Sequence, residues 1–596
     1  MSAVAIALGM LVFLGLGYHF YGRFVEHRLA ARDDSRSTPA LAQRDGVDYE
    51  PANPIVLFGH HFSSIAGVGP VVGPILGMTL FGWAPVLGWI AFGSIFVGGV
   101  HDYLSLVVSI RNRGGSLAEV SGRVVSPAAR RVFAIFLWLA LVLVIAVFAS
   151  AGTKALMAPE LGAKMVFPTL MVIPIAMVLG VCVRRRLAPL WLLTTTAVGA
   201  ALYCIYVGNT YLPMALPATL GPRATETLWF VILMLYCVVA STLPVWLLLQ
   251  PRDYISVFKL FIGLVLGYAG LFAAHPSIQA PAWLGLSSPQ GPIWPMLFVI
   301  VACGAVSGFH SVVASGTTSK QLATERHGRA VTFGTMVLEG VLAVLTVCLV
   351  GGGLMWAAGA QGDRLYAPDI IVGGGGGPLT AFARGFGQVV GGQAFRFIGA
   401  GLAGLFGMVM LKTFTLTTLD TCTRLARFVV TEQFGQINAL FRNRLIATLI
   451  TIVPAFILLY SGAWNTIWPV FGAANQLIAA LALMVIACYL LGCRRPSIYA
   501  IVPGVFMLLT TLAALVLQIA KCATHVNDAG QPAPQWVLIV FSAALIALAL
   551  FVTREVWTKT EGLRTCPCVD AELCPVEQAE AVVLPAEEAP QAPRAD

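Results

Sequence analysis

Long apolar runs with few charged residues recur along most of the chain and set the main limit on its fold. Many reach the roughly 20 residues that a helix needs to cross the hydrocarbon core of a bilayer. Only 11% of the residues are charged, against roughly 25% in soluble globular proteins, so the chain cannot cover a water-facing surface. Alternating segments of roughly ten residues, typical of an outer-membrane barrel, are absent. The sequence therefore predicts an all-α polytopic membrane protein.

Hydropathy places about 15 membrane-spanning helices along the chain. The predicted spans are 1–22, 54–80, 84–109, 132–152, 166–183, 188–208, 227–249, 256–274, 293–314, 330–357, 395–419, 445–461, 464–491, 498–519 and 536–553. A further Gly-rich segment at 379–396 has the composition of a re-entrant piece. The N-terminal run lacks a basic start and a small-residue cleavage site, so we expect a retained helix rather than a signal peptide.

Basic residues predict the orientation of the spans. Most of the 36 Lys and Arg residues fall in alternate loops, among them 23–53, 110–131, 250–259 and 420–444. Cytoplasmic loops carry such an excess, so we predict the N-terminus outside and the C-terminus in the cytoplasm of the bacterial inner membrane. The same placement in short loops explains the net charge of +9 without nucleic-acid binding.

The C-terminal tail, 554–596, differs from the rest of the chain. Its end is rich in Ala, Pro and Glu and is predicted to be disordered. Cys566, Cys568 and Cys574 lie before that end, but three cysteines without a fourth ligand favour reduced thiols over a metal site. Most other cysteines are scattered singly in apolar runs, where they act as small hydrophobic residues.

Breaks in the apolar helices are the first candidates for a functional site. Between residues 59 and 74 a His–His–Phe–Ser–Ser segment runs into repeated glycines and prolines, which cannot form a straight helix. Discontinuous helices expose backbone groups and mark substrate sites in secondary transporters; the alternative is a kink that lets small residues pack. The candidate substrate-binding residues here are His60, His61, Ser63, Ser64, Gly67, Gly69 and Gly73.

A second break is predicted near residues 304–308, where glycines alternate with hydroxyl side chains. Ser307, Gly308, His310 and Ser311 are candidates for the same substrate site. Hydroxyls in helices also bond back to their own carbonyls, which is the alternative. If Na⁺ is the coupling ion, the hydroxyls that follow, such as Ser315 and Thr317, are the natural ligands.

Ionisable side chains inside spans are costly and are therefore candidates for ion or proton coupling. They are His101, Asp102, Glu339, Lys412 and Asp420. Each has a structural alternative: an interfacial pair for His101 and Asp102, a hydrogen-bonded structural carboxyl for Glu339, and a helix-surface pair of Asp420 with Arg424. Lys412 and Asp420, eight residues apart on one face, are expected to line one cavity without touching. Asn475 and Gln476 favour a role in helix packing over a role in the pathway.

Several motifs resemble the carbon starvation protein A (CstA) family. They are GHHF with SIAGVGPVVGPILG, GGVHDYLSLVVS, LPVWLLLQPRDY, CGAVSGFHSVVASGTTSKQLA, TLDTCTRLARF and WPVFGAANQLIAALAL. The resemblance spans residues 45–490. It implies a broken-helix, inverted-repeat core similar to the amino acid–polyamine–organocation (LeuT-like) transporters, with 54–80 as the first broken helix and either 227–249 or 293–314 as its partner. Helix 1–22, helices 498–553 and the tail flank this core.

The same resemblance implies a secondary importer of pyruvate or small peptides, coupled to H⁺ or Na⁺, that works during carbon starvation. The expected partners are the small-molecule substrate, the coupling ion and membrane lipid, with no nucleic acid, and the oligomeric state stays open. Another small carboxylate or an amino acid carried with Na⁺ is one alternative. A membrane metalloprotein built on His60, His61, His101 and His310 is another, although no metal-binding motif is present. We therefore expect no enzyme activity, no metal and no cofactor.

Overall fold

The fold is described from a computed structural model. It covers residues 1–565 except 47–48, 218, 245, 358–364, 374–375, 436–437, 462–463 and 527–530. Cys566, Cys568, Cys574 and the end of the predicted disordered tail lie outside the described residues.

Helices make up almost the whole described chain. Those of the first half are α1 (Ala3–Ala30), α2 (Pro54–Ile65), α3 (Gly69–Phe81), α4 (Trp83–Arg111), α5 (Pro127–Leu156), α6 (Leu161–Arg184), α7 (Leu190–Thr210), α8 (Pro222–Thr242) and α9 (Leu249–Ala274). Those of the second half are α10 (Ile293–Ile300), α11 (Gly308–Gly316), α12 (Glu325–Gly353), α13 (Gly377–Phe386), α14 (Ala400–Phe434), α15 (Arg444–Ser461), α16 (Trp464–Gly492), α17 (Ile498–Ala523) and α18 (Trp536–Thr565).

Short elements fill the connections. Helices of four to eight residues lie at Pro39–Ala42, Leu117–Val124 and Ala367–Ile371. A two-stranded antiparallel hairpin joins β1 (Ser287–Ser288) to β2 (Gly291–Pro292) ahead of α10. Helix α13 continues as a π-helical stretch, Gly387–Ala394, so the Gly-rich segment is helical up to residue 394.

Twelve of the described helices are long and apolar enough to cross a membrane, and the bent pair α2–α3 adds a thirteenth. The all-α membrane architecture is thus confirmed. The total of about 15 stays a prediction, because α15 is shorter than a typical span and α10–α11 is interrupted.

The centre of the bundle is formed by α5, α12, α14 and α16, which bury most of their length. Helix starts are fixed locally: the Asn53 side chain accepts from the Ile55 amide ahead of Pro54 at the first turn of α2. Ser126 accepts from the Ala129 amide at the start of α5 in the same way. Such caps satisfy amides that have no partner within the helix.

Three predicted boundaries are wrong. Residues 420–434 of the loop predicted at 420–444 belong to α14. The segment 250–259, assigned to a cytoplasmic loop, lies inside α9, and Arg252 and Lys259 are almost completely buried there. Charged residues lower a hydropathy average even where partners inside the protein compensate them. In the tail, residues 554–565 continue α18 as helix.

Candidate functional site

Two helices are broken at the positions where glycine and proline accumulate. Helix α2 ends at Ile65 and α3 begins at Gly69, with a bend of 42° between them. Helix α10 ends at Ile300 and α11 begins at Gly308. The first break is shorter than predicted: Pro70 lies in the opening turn of α3, where it needs no helical partner, so helix resumes before Gly73.

The two broken helices pack against each other near their breaks. A side chain added at Gly69 would overlap the Cys303 side chain, and a Cβ at Gly73 would lie 2.8 Å from the Ile300 carbonyl oxygen. Glycine is therefore required for this close approach. The second break lies in 293–314, so of the two candidate partner segments this one is interrupted, whereas α8 is continuous.

Asn475 of α16 holds the second break. Its Oδ1 accepts from the Phe309 amide at 2.9 Å, and its Nδ2 donates to Ser307 Oγ at 3.0 Å. The neighbouring Gln476 donates to the Phe298 carbonyl on the other side of the break. Both amides bond across helices, as the packing interpretation predicts.

We expect Asn475→Leu to destabilise the protein, because it leaves the Phe309 amide buried without an acceptor. Loss of such a partner costs about 1–3 kcal/mol. Thermal unfolding of purified protein in detergent measures the effect, and Asn475→Asp, which keeps the acceptor oxygen, is the matched control. Equal melting temperatures for the Leu and Asp variants would contradict this role.

Four ionisable side chains from three helices form one fully buried group, the imidazole–carboxylate cluster: His101, Asp102, His310 and Glu339. His101 Nδ1 lies 2.7 Å from Asp102 Oδ1, and His310 Nδ1 lies 2.8 Å from Asp102 Oδ2. On the other side of the same ring, His310 Nε2 lies 3.0 Å from Glu339 Oε2. That last contact is at ion-pair distance but outside hydrogen-bond angles.

Local backbone features place the cluster. A π-helical turn, Gly93–Gly99, comes directly before His101 and Asp102 in α4, and such turns recur at functional sites. His310 lies in the first turn of α11, directly after the second break. The cluster therefore ties α4, α11 and α12 together at the break.

The cluster can hold and pass protons. With His310 Nδ1 donating to Asp102, a proton between Nε2 and Glu339 has two positions, one on the ring and one on the carboxyl group. Two carboxylates and two neutral imidazoles carry a charge of −2, so added protons bring this buried group toward neutrality.

His60 and His61 point to different partners. His61 Nδ1 lies 2.7 Å from Thr318 Oγ1, and its Nε2 has no hydrogen-bond partner within the described residues. His60 Nδ1 lies 3.7 Å from Asp253 Oδ2. His61 thus faces the short 3₁₀ helix Thr318–Lys320 that follows α11, and His60 faces α9.

A second buried group, the Arg252 cluster, consists of Arg252 and Asp253 of α9, Tyr236 of α8 and Asp420 of α14. Arg252 Nη1 donates to Asp420 Oδ2 and to the Tyr236 hydroxyl, and Nη2 donates to Asp253 Oδ1 at 2.8 Å. Arg252 and Asp420 are fully buried. The ion pair of Asp420 is thus with Arg252 of another helix, so its interpretation as a surface pair with Arg424 is wrong.

Lys412 and Asp420 do not share a partner. Lys412 Nζ donates to the Gly152 carbonyl of α5 at 2.8 Å, whereas Asp420 is bound from α8 and α9. As predicted, the two side chains do not touch.

The serines and threonines near the breaks bond mostly to their own helices. Ser63 and Ser64 donate to the His60 carbonyl, and Ser311 donates to that of Gly308. Ser315 donates to the Ser311 carbonyl and Thr317 to that of Val313. These are the back-bonds that were the alternative to a polar lining.

The structure thus brings together four predicted residues, His101, Asp102, His310 and Glu339. The predicted residues His60 and His61 bind other partners, Asp253 and Thr318. Sequence reasoning gave no role to Arg252, Asp253, Tyr236 or Lys259. The sequence could have pointed to Arg252 and Asp253, since they form a charged stretch with Pro251 between two apolar runs. The partner of Arg252 in α14, Asp420, could not be predicted, because it lies 168 residues further along the chain.

Comparison with known proteins gives the family. A family model described as carbon starvation protein CstA matches residues 1–356 and 367–514. A Campylobacter jejuni protein named peptide transporter CstA is 32% identical over 566 residues, which cover 86% of this chain and 79% of the relative. The Escherichia coli pyruvate/proton symporter BtsT is 30% identical, with 87% and 82% covered. Among solved structures, a manganese transporter from Eremococcus coleocola matches with a TM-score of 0.44 and 14% identity, over 85% of this chain and 95% of that one.

Proposed function

Because the chain belongs to the carbon starvation protein CstA family, we propose that it imports pyruvate or small peptides together with protons. Its relatives are named as a transporter and as a symporter, so the chain is a multi-pass membrane transporter and not an enzyme. We place it in the bacterial inner membrane with its C-terminus in the cytoplasm, in line with the distribution of basic residues.

The observation that carries the proton coupling is the imidazole–carboxylate cluster. It joins His310, just past the second break, to carboxylates on two other helices, Asp102 and Glu339. A proton that binds or leaves there changes the attraction between α4, α11 and α12. Proton binding can in this way be linked to movement of a broken helix.

The substrate is proposed to bind at the two breaks, where α3 and α11 begin. A helix start attracts a carboxylate through the positive end of the helix dipole. The proposed residues are His60, His61, Ser63, Ser64, Gly67, Gly69, Gly73, Ser307, Gly308, His310 and Ser311. His61 supports this placement, since its Nε2 is buried without a hydrogen-bond partner within the described residues.

Reconstituted protein tests the function directly. Proteoliposomes with an inward proton gradient should accumulate radiolabelled pyruvate or dialanine, and a protonophore should abolish the accumulation. An inward Na⁺ gradient without a pH difference is the control and should not drive uptake. Lack of uptake of pyruvate, dipeptides and tripeptides under a proton gradient would overturn the proposal, and uptake driven by Na⁺ alone would overturn the choice of ion.

A further inference from the structure

Helices α9 and α14 carry two buried cross-links at matching positions. Arg252 of α9 pairs with Asp420 of α14, and Lys259 of α9 donates to Thr413 Oγ1 of α14 at 2.8 Å. On each helix the two linked residues are seven positions apart, and the order of the links is reversed from one helix to the other. Seven residues correspond to about 10 Å along a helix at 1.5 Å per residue. The first link joins a cation to an anion, whereas the second joins a cation to a neutral hydroxyl.

Lys259 has no counter-ion in the part of the chain that the structure describes. Its side chain is 1% exposed, and no carboxylate oxygen there lies within 4.0 Å of its ammonium group. The nearby carboxylates, Asp253 and Asp420, are both bound to Arg252. A buried ammonium without an anion is costly, so this position favours a negatively charged ligand.

The other buried lysine of this region has a different setting. Lys412 donates to the Gly152 carbonyl, which lies four residues before the end of α5 at Leu156. Carbonyl groups at a helix C-terminus carry partial negative charge and stabilise a cation. Thr413 offers Lys259 no such charge, and its own hydroxyl bonds back to the Val409 carbonyl.

We propose that Lys259 binds the carboxylate of the transported substrate, with Thr413 beside it. This inference rests on the proposed function and names the cation of its substrate site. The ammonium group donates one hydrogen bond to Thr413 and keeps two N–H groups for a carboxylate. Both helices of this site also contact the first broken helix: Phe261 of α9 lies 6.0 Å from Phe62 of α2 between ring centroids, and a Cβ added at Gly67 in the first break would lie 2.9 Å from Thr418 Oγ1 of α14.

Binding to the purified full chain in detergent tests the assignment. Pyruvate, dialanine and acetate are added as probes, with uncharged pyruvamide for comparison, and the shift in melting temperature is measured against ligand concentration. We expect pyruvate or dialanine to stabilise the unaltered protein. Lys259→Met should weaken this binding at least about tenfold, as expected for loss of a buried charge partner, and Lys259→Arg should weaken it less.

A second variant supplies the missing anion from the protein itself. Thr413→Asp repeats the Arg252–Asp420 arrangement at the Lys259 position, so the protein should fold and melt at a higher temperature without ligand. Its carboxylate should also displace the ligand, and pyruvate should no longer raise its melting temperature. This variant decides the question if Lys259→Met does not fold.

Three results would overturn the inference: no carboxylate stabilises the unaltered protein, folded Lys259→Met binds pyruvate as tightly as before, or folded Thr413→Asp does so. The proposed function fails separately. Carboxylate binding that depends on Lys259, without proton-driven uptake in proteoliposomes, would support the binding site and contradict the transport activity.

Discussion

Glu339→Gln is expected to abolish proton-driven accumulation while leaving exchange of substrate across the membrane intact. Each proton carried with a substrate molecule allows about tenfold accumulation per pH unit, since one unit is worth 1.36 kcal/mol. Gln fills the same space and keeps a polar group beside His310 Nε2, but it cannot take up a proton. Uptake by the variant should therefore stop when the inside and outside concentrations are equal, and radiolabelled uptake under a one-unit gradient measures this.

A matched control separates coupling from the loss of a buried carboxylate. Glu26 is also buried, but it pairs with Arg32 and Arg329 at the end of α1, apart from the cluster. Glu26→Gln should accumulate substrate normally. If Glu339→Gln still accumulates substrate about tenfold, the imidazole–carboxylate cluster does not carry the proton through Glu339.

Local sequence was enough to predict the membrane class and both helix breaks. Glycine and proline act on the backbone within one helical turn, so their effect can be read where they occur. Pro70 shows the limit of this reasoning, because the same residue that breaks a helix interior is accommodated at a helix start. The first break is accordingly confined to residues between α2 and α3.

The partners of buried charges could not be predicted in the same way. Asp102 was predicted to be a coupling residue and His310 a substrate-site residue, but 208 residues separate them, and nothing local indicates that they meet. For Arg252 the local signal even misled, since a charged stretch normally belongs to a loop. Its burial becomes understandable only with Asp420 and Tyr236 in place, because they supply the charge and hydrogen bonds that water would otherwise give.

Arg252→Met is expected to be among the most destabilising single substitutions in the chain. It leaves both Asp253 and Asp420 buried without their cation, and removal of one partner of a buried ion pair costs about 3–5 kcal/mol. Asp420→Asn should cost less, since Arg252 keeps its bond to Asp253. Unfolding of the purified protein in detergent, followed by heating or by added denaturant, gives this order.

The double variant Arg252→Met/Asp420→Asn shows whether the charges act on each other. Removing Asp420 also removes one of the two unpaired carboxylates, so the double variant should be more stable than Arg252→Met alone, a non-additivity expected only of interacting residues. The exposed pair Arg36–Asp33 is the control, and Asp33→Asn should change stability little. If the destabilisation of the double variant equals the sum of those of the two single variants, Asp420 does not contribute to stabilising Arg252.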